Sequence, residues 1–164
     1  MKVIWIRALS FFVLALLLTF PMAATADTWT ALSSGTSSDL NGVHFVDPDY
    51  GCVVGSNVIL RTTNGGDTWT PESPESTGFL FRAVTGKSRE DVWLAVGIGG
   101  VIARSLDGGI RWEVIRSGGP DLYDVQILPG SGYSYRNTHA IAVGARGTIL
   151  LKREGGDDWT SVGD

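Results

Sequence analysis

The sequence predicts an all-β protein made of three copies of one four-stranded unit, and three observations carry that prediction. Tryptophans recur as Trp29, Trp69, Trp112 and Trp159, spaced 40, 43 and 47 residues apart. A polar turn with paired glycines precedes each of the last three: Asn64-Gly65-Gly66, Asp107-Gly108-Gly109 and Glu154-Gly155-Gly156. Past residue 26, 22 glycines break the apolar residues into strand-length runs, and no stretch keeps a helical period through them. A period in the forties, with four strands and one glycine-rich turn per unit, is that of a propeller blade.

Taken in order, the first unit (about residues 40–73) offers strands at 42–46, 51–55, 58–62 and 68–72. The second (about 79–117) offers 79–85, 91–96, 101–105 and 110–116, and the third (about 122–162) offers 122–128, 138–143, 148–152 and 158–162. A thirteenth strand, residues 28–32 around Trp29, matches the fourth strand of each unit, so the expected architecture is a partial β-propeller of three blades plus one N-terminal strand. Each second strand carries an apolar pair closed by glycine: Val53-Val54-Gly55, Ala95-Val96-Gly97 and Ala142-Val143-Gly144. Strands apolar on both faces suit a sheet packed between two other sheets. Residues 73–78 and 117–120 are the connectors between blades, and residues 130–137 are an insertion between the first two strands of the third.

Residues 1–26 read as an export signal, with Lys2 and Arg7 before an apolar run at 8–20, Pro21, and the small residues Ala24-Thr25-Ala26 at the cleavage site. The run is shorter than the roughly 20 residues a membrane span needs. No Leu-x-Ala/Gly-Cys sequence follows it, so a lipid anchor is not expected. Cleavage after Ala26 leaves residues 27–164, with 11 basic against 17 acidic side chains and a net charge of −6, which argues against a nucleic-acid partner. Cys52 is the single cysteine, so the chain forms no internal disulfide, and its apolar neighbours mark it as a small core residue. The expected location is the periplasm or the exterior.

The repeated turn has a physical grammar. Thr62, Asn64, Gly66 and Trp69 recur as Ser105, Asp107, Gly109 and Trp112, and in worn form as Gly156 and Trp159. The hydroxyl and the Asn or Asp bond turn amides, glycine accepts positive φ, and tryptophan lays a large ring on the sheet. This pattern resembles the Asp-box, or bacterial neuraminidase repeat. The longer run around Ile59-Leu60-Arg61-Thr62-Thr63-Asn64-Gly65-Gly66 resembles more particularly the photosystem II stability/assembly factor type of such propellers. The resemblance covers residues 27–164. The third copy departs from it, with Leu151, Lys152, Glu154 and Asp158 in place of the arginine, hydroxyl, Asp/Asn and Thr.

The resemblance implies a non-catalytic protein-binding scaffold or assembly factor, in the thylakoid lumen if the source is photosynthetic. In that family, arginines at matching blade positions are thought to receive a partner segment. Arg61 and Arg104 match one another here, and Arg82, Arg111, Arg136 and Arg146 could add to them. The inserted Tyr133, Tyr135 and Arg136 are a candidate interface loop, read as exposed aromatics beside arginine. Half a ring leaves two open strand edges, which invite pairing with another chain, so either a second copy closes the ring or the gene is truncated. The alternatives are a carbohydrate-binding or degenerate sialidase-like module, and a purely structural envelope protein. A sialidase draws an arginine triad and paired carboxyls from most of a full ring. Phe81-Arg82 is followed by Ala83-Val84 rather than Ile-Pro, so no enzyme is expected. No cofactor or metal is expected either: His44 and His139 stand in different repeats, and Asp47-Pro48-Asp49 offers too few oxygens for calcium.

Overall fold

The computed structural model describes residues 29–72, 78–129, 134–155 and 158–162. The export signal, Tyr133, Gly156 and most of the first connector lie outside them. Residues 31–164 form one compact unit.

Its twelve strands are β1 (Leu40–Phe45), β2 (Gly51–Gly55), β3 (Val58–Thr62), β4 (Thr70–Pro71), β5 (Phe81–Gly86), β6 (Trp93–Gly97), β7 (Ile102–Ser105), β8 (Glu113–Arg116), β9 (Leu122–Ile127), β10 (Ala140–Gly144), β11 (Ile149–Lys152) and β12 (Trp159–Ser161). They pair in sequence order into three four-stranded antiparallel sheets, as the repeat predicts. Register matches between sheets: Cys52 pairs Arg61, Leu94 pairs Arg104 and Ile141 pairs Leu151.

The outer strands are shorter than the sequence suggests. β4 starts at Thr70 and β8 at Glu113, so Trp69 and Trp112 belong to the turns. The Thr68 and Arg111 amides are already committed to Asn64 and Asp107, which holds the chain in the turn for its full length. The expected N-terminal strand is not formed over residues 29–39, and Trp29 is fully exposed. The fourth place in each sheet is already taken by that sheet's own strand, β4, β8 or β12, so among the described residues the segment has no fourth-strand position to fill.

Alternation in the middle strands builds the core. Cys52, Val54 and Ile59 face the second sheet, where they meet Phe81, Val84, Ala95 and Ala103. Leu94, Val96 and Ile102 face the third sheet, meeting Leu122, Val125, Ala142 and Leu150. Strands apolar on both faces thus sit between two neighbours, and the sheets stack face to face. The ends of the array are therefore sheet faces, not the strand edges that half a ring suggests.

Polar contacts tie the first seam along its length. Asn41 Nδ2 donates to Phe81 O at 2.8 Å, the His44 ring to Gly86 O at 3.1 Å, and Tyr50 Oη to Gly108 O at 2.8 Å. At the rim Arg89 Nε donates to Asp47 Oδ2 at 2.6 Å, and its Nη2 lies 3.5 Å from Asp49 Oδ2. The acidic pair weighed for calcium thus faces a guanidinium. Among the described residues no group of three or more His, Cys, Asp and Glu side chains gathers as a metal site.

Candidate functional site: the cleft between the second and third sheets

The paired turns fold as their residues dictate. Thr62 Oγ1 accepts from the Gly66 amide at 2.9 Å and donates to Asn64 Oδ1 at 2.9 Å, while Thr68 N donates to the same oxygen at 3.0 Å. The second turn repeats this: Gly109 N donates to Ser105 Oγ at 2.8 Å, and Arg111 N to Asp107 Oδ1 at 2.9 Å. Burial pushes the Asp107 carboxyl up, but the Arg111 amide and the Ser105 hydroxyl outweigh it and leave its pKa lowered. Gly109, at φ 88°, needs its left-handed backbone, and a Cβ there would lie 2.8 Å from Cys52 Sγ. The turn of one sheet therefore rests on the middle strand of the sheet before it.

Each turn is also pinned by its first glycine. Gly65 N donates to Asp49 O, Gly108 N to Asp91 O and Gly155 N to Arg136 O, at 2.9, 3.1 and 2.9 Å. The third contact explains the insertion, which sequence reasoning treated as a surface loop. Its backbone substitutes for the short loops that carry Asp49 and Asp91. The signal was the spacing of the first glycine from the loop before the second strand, which the insertion hides.

Tyr135 is not exposed as the composition of its loop suggests; it is 5% accessible and belongs to the core between the second and third sheets. Arg104 Cζ lies 4.4 Å from the centre of its ring, and Lys152 Nζ lies 4.3 Å from it. The Lys152 ammonium donates to Thr138 O at 3.0 Å. The lysine that replaces the turn hydroxyl has thus become a buried strut beneath Tyr135.

The matching arginines are both ion-paired within their own sheets. Arg61 Nη2 meets Glu72 Oε1 at 2.7 Å, and Arg104 Nε pairs with Glu113. Burial works against the Arg61 charge, and the Glu72 contact more than offsets it, leaving the pKa raised. Arg82 is exposed on β5, at the other end of the second sheet from Arg104 and two strands away. Arg61, Arg82 and Arg104 do not converge into a carboxylate grip.

The structure does bring together Arg104, Tyr135 and Arg136. They line a cleft of about 680 Å³ with Ser88, Glu90, Asp91, Val92, Leu106 and Ser134. A second hollow of about 520 Å³ shares Arg104 and Leu106 and continues past Arg111, Trp112 and Glu113. Leu106 is exposed between the two, giving an apolar saddle with a guanidinium beside it. Two hollows joined at an arginine suit an extended segment rather than a small molecule.

Residues 21–130 match a family described as photosynthesis system II assembly factor YCF48. The chain belongs to the Ycf48 family. It is 28% identical over 144 residues to the photosystem II assembly lipoprotein Ycf48 of Synechococcus sp. (strain CC9902), covering 83% of this chain and 40% of that protein. The protein of the same name from Parasynechococcus marenigrum (strain WH8102) is 38% identical over 68 residues, 39% of this chain and 20% of its own. The chain thus spans less than half the length of these Ycf48 relatives. Among solved structures, YCF48 bound to D1 peptide superposes with a TM-score of 0.69 at 22% identity, over 84% of this chain and 45% of that one. YCF48 from Cyanidioschyzon merolae superposes at 0.64 and 25% identity, over 79% and 41%. The resemblance read from the repeated turns is borne out by these matches, as is the all-β blade architecture. The lipoprotein in the relatives' names belongs to those proteins; the single cysteine here, Cys52, is buried in β2.

Proposed function

We propose that this chain is an exported, non-catalytic assembly factor that captures an extended protein segment, as a photosystem II assembly protein would. Membership of the Ycf48 family carries the reading. The neighbour solved with a D1 peptide supports the kind of partner, and the double hollow around Arg104 supplies a seat for it. No helix among the described residues is long and apolar enough to cross a membrane. Arg104, Arg136 and Tyr135 are the receiving residues. Arg104 orients an acidic or carboxylate group, the Leu106 saddle takes an apolar side chain, and Tyr135 fixes the arginine in place.

The intramolecular pairing refines the basic-patch expectation. Glu113 offsets the charge of Arg104, so a partner carboxylate must compete with it. Fluorescence anisotropy with a synthetic D1 peptide tests this. The Arg104→Gln, Arg136→Gln double variant should bind at least about tenfold more weakly, a difference of about 1.4 kcal/mol. Glu113→Gln should bind more tightly. Unchanged affinity in the double variant removes the cleft, and no binding by the parent chain removes the peptide reading.

A further inference from the structure

Among the described residues seven charged side chains line the two hollows, and five of them are already paired. Arg104 pairs with Glu113, Arg111 Nη1 lies 3.7 Å from Asp107 Oδ2, and Asp91 Oδ2 lies 3.7 Å from Lys87 Nζ. The two that remain are of opposite sign, Glu90 and Arg136. Both are exposed, and neither makes a side-chain hydrogen bond or ion pair among the described residues. They stand on facing walls: Glu90 in the loop between β5 and β6 of the second sheet, Arg136 in the insertion before β10 of the third. Register sets their separation. The Gly108 amide donates to Asp91 O and the Gly155 amide to Arg136 O, so Arg136 is the third sheet's counterpart of Asp91, the chain neighbour of Glu90. Counterparts on stacked sheets lie about 10 Å apart. Exposed charges at that distance are largely screened from one another, so the two do not satisfy each other across the cleft.

We infer that the segment this cleft takes carries a basic side chain for Glu90 and an acidic side chain for Arg136, at an odd spacing. This rests on the reading of the double hollow as a peptide seat and narrows the class of segment that fits it. Successive side chains of an extended chain point to opposite sides, so a segment between two walls meets them alternately. Residues i and i+1, or i and i+3, therefore reach both walls, whereas i and i+2 reach only one. Leu106 is on the same wall as Glu90, at the end of β7, so an apolar residue two places from the base falls on it. A purely acidic segment would answer Arg136 but set a carboxylate against Glu90, and like charges brought together across an interface disfavour the wrong partner.

Fluorescence anisotropy of the full chain with three labelled peptides of about nine residues tests the inference. The peptides are identical except at the centre, which reads Lys-Glu-Leu, Lys-Leu-Glu or Gln-Glu-Leu. The first should bind at least about fivefold more tightly than either of the others. Glu90→Gln should remove the preference for Lys-Glu-Leu over Gln-Glu-Leu, and should leave intact the loss on replacing the peptide's Glu by Gln. Arg136→Gln should do the reverse. Both side chains are exposed, so circular dichroism should not change. A parent that binds the three peptides equally, or a Glu90→Gln chain that keeps its full preference for lysine, overturns the inference and leaves the cleft as a seat for acidic segments. Binding of none of the peptides overturns the inference together with the reading it rests on.

Discussion

Arg104 on β7 places its guanidinium 4.4 Å from the centre of the Tyr135 ring, across the seam between the second and third sheets. The contact joins the arginine of one repeat to the insertion of the next, and it makes the insertion part of the core. Tyr135→Ala should cost about 3 kcal/mol, the usual loss for a buried aromatic. Tyr135→Leu keeps the apolar fill but loses the attraction to two cations, and should cost about 1–2 kcal/mol. Urea unfolding measures both, and a Tyr135→Leu variant as stable as the parent would mean that only volume matters there.

Thr62 and Ser105 hold their turns through one hydroxyl each. Thr62→Val keeps shape but leaves the buried Gly66 amide without its acceptor, at a cost of about 1–3 kcal/mol. Ser105→Ala should behave alike through Gly109. Faster hydrogen exchange at Gly66 and Gly109 would accompany the loss; unchanged protection would show that other acceptors serve these amides.

The hydrogen bonds from Arg89 hold the Asp47 carboxyl at about 2, against an ordinary 3.8. A lowered carboxylate favours the folded state in its ionised form. That contribution is complete above pH 3.8 and is lost as pH falls through about 2. A ¹³C NMR titration should report an apparent pKa near 2 for Asp47. Arg89→Ala should move it back toward 3.8, and an unmoved midpoint would assign the shift to the turn amides of Asp49 and Tyr50 instead.

Burial pushes the Cys52 thiol up to about 12. At pH 8 a maleimide should leave the folded chain unlabelled for hours and label it within minutes in 6 M guanidinium. Rapid labelling of the native protein would contradict the seating of the Gly109 turn over Cys52.

Arg146 takes φ 58°, ψ 30° in the tight turn between β10 and β11, where the second sheet uses Gly99 at φ 68°. A side chain in the left-handed region costs about 1–2 kcal/mol, partly offset because glycine loosens the unfolded chain. Arg146→Gly should therefore raise stability by up to about 1 kcal/mol in the same urea assay.

Much of the fold was legible because its period is local. Twelve strands, their grouping and the turn chemistry follow from residues close in sequence, such as Thr62 with Gly66. What sequence could not show was seam geometry. Arg61 and Arg104 read as free charges because their partners, Glu72 just past β4 and Glu113 on β8, lie 11 and 9 residues away. Tyr135 read as exposed because its polar neighbours are, while its ring is turned under by Arg104 and Lys152. Trp29 matched the period but lies in no strand and is fully exposed, whereas Trp69 and Trp112 are held by their turns and Trp159 by β12.

Gly55, Gly97 and Gly144 each end a middle strand where a side chain would run into the backbone of the strand entering the same sheet, at Asp39, Leu80 and Asp121. Those same three carbonyls accept the next amide along, from Ser56, Ile98 and Ala145, at 2.9, 2.9 and 2.8 Å. The third repeat has given up its turn hydroxyl and its arginine and still folds on this plan. The glycine is therefore the mark by which a degenerate blade can be recognised: a search keyed on the decorated turn loses worn copies, whereas one keyed on this crossing point keeps them.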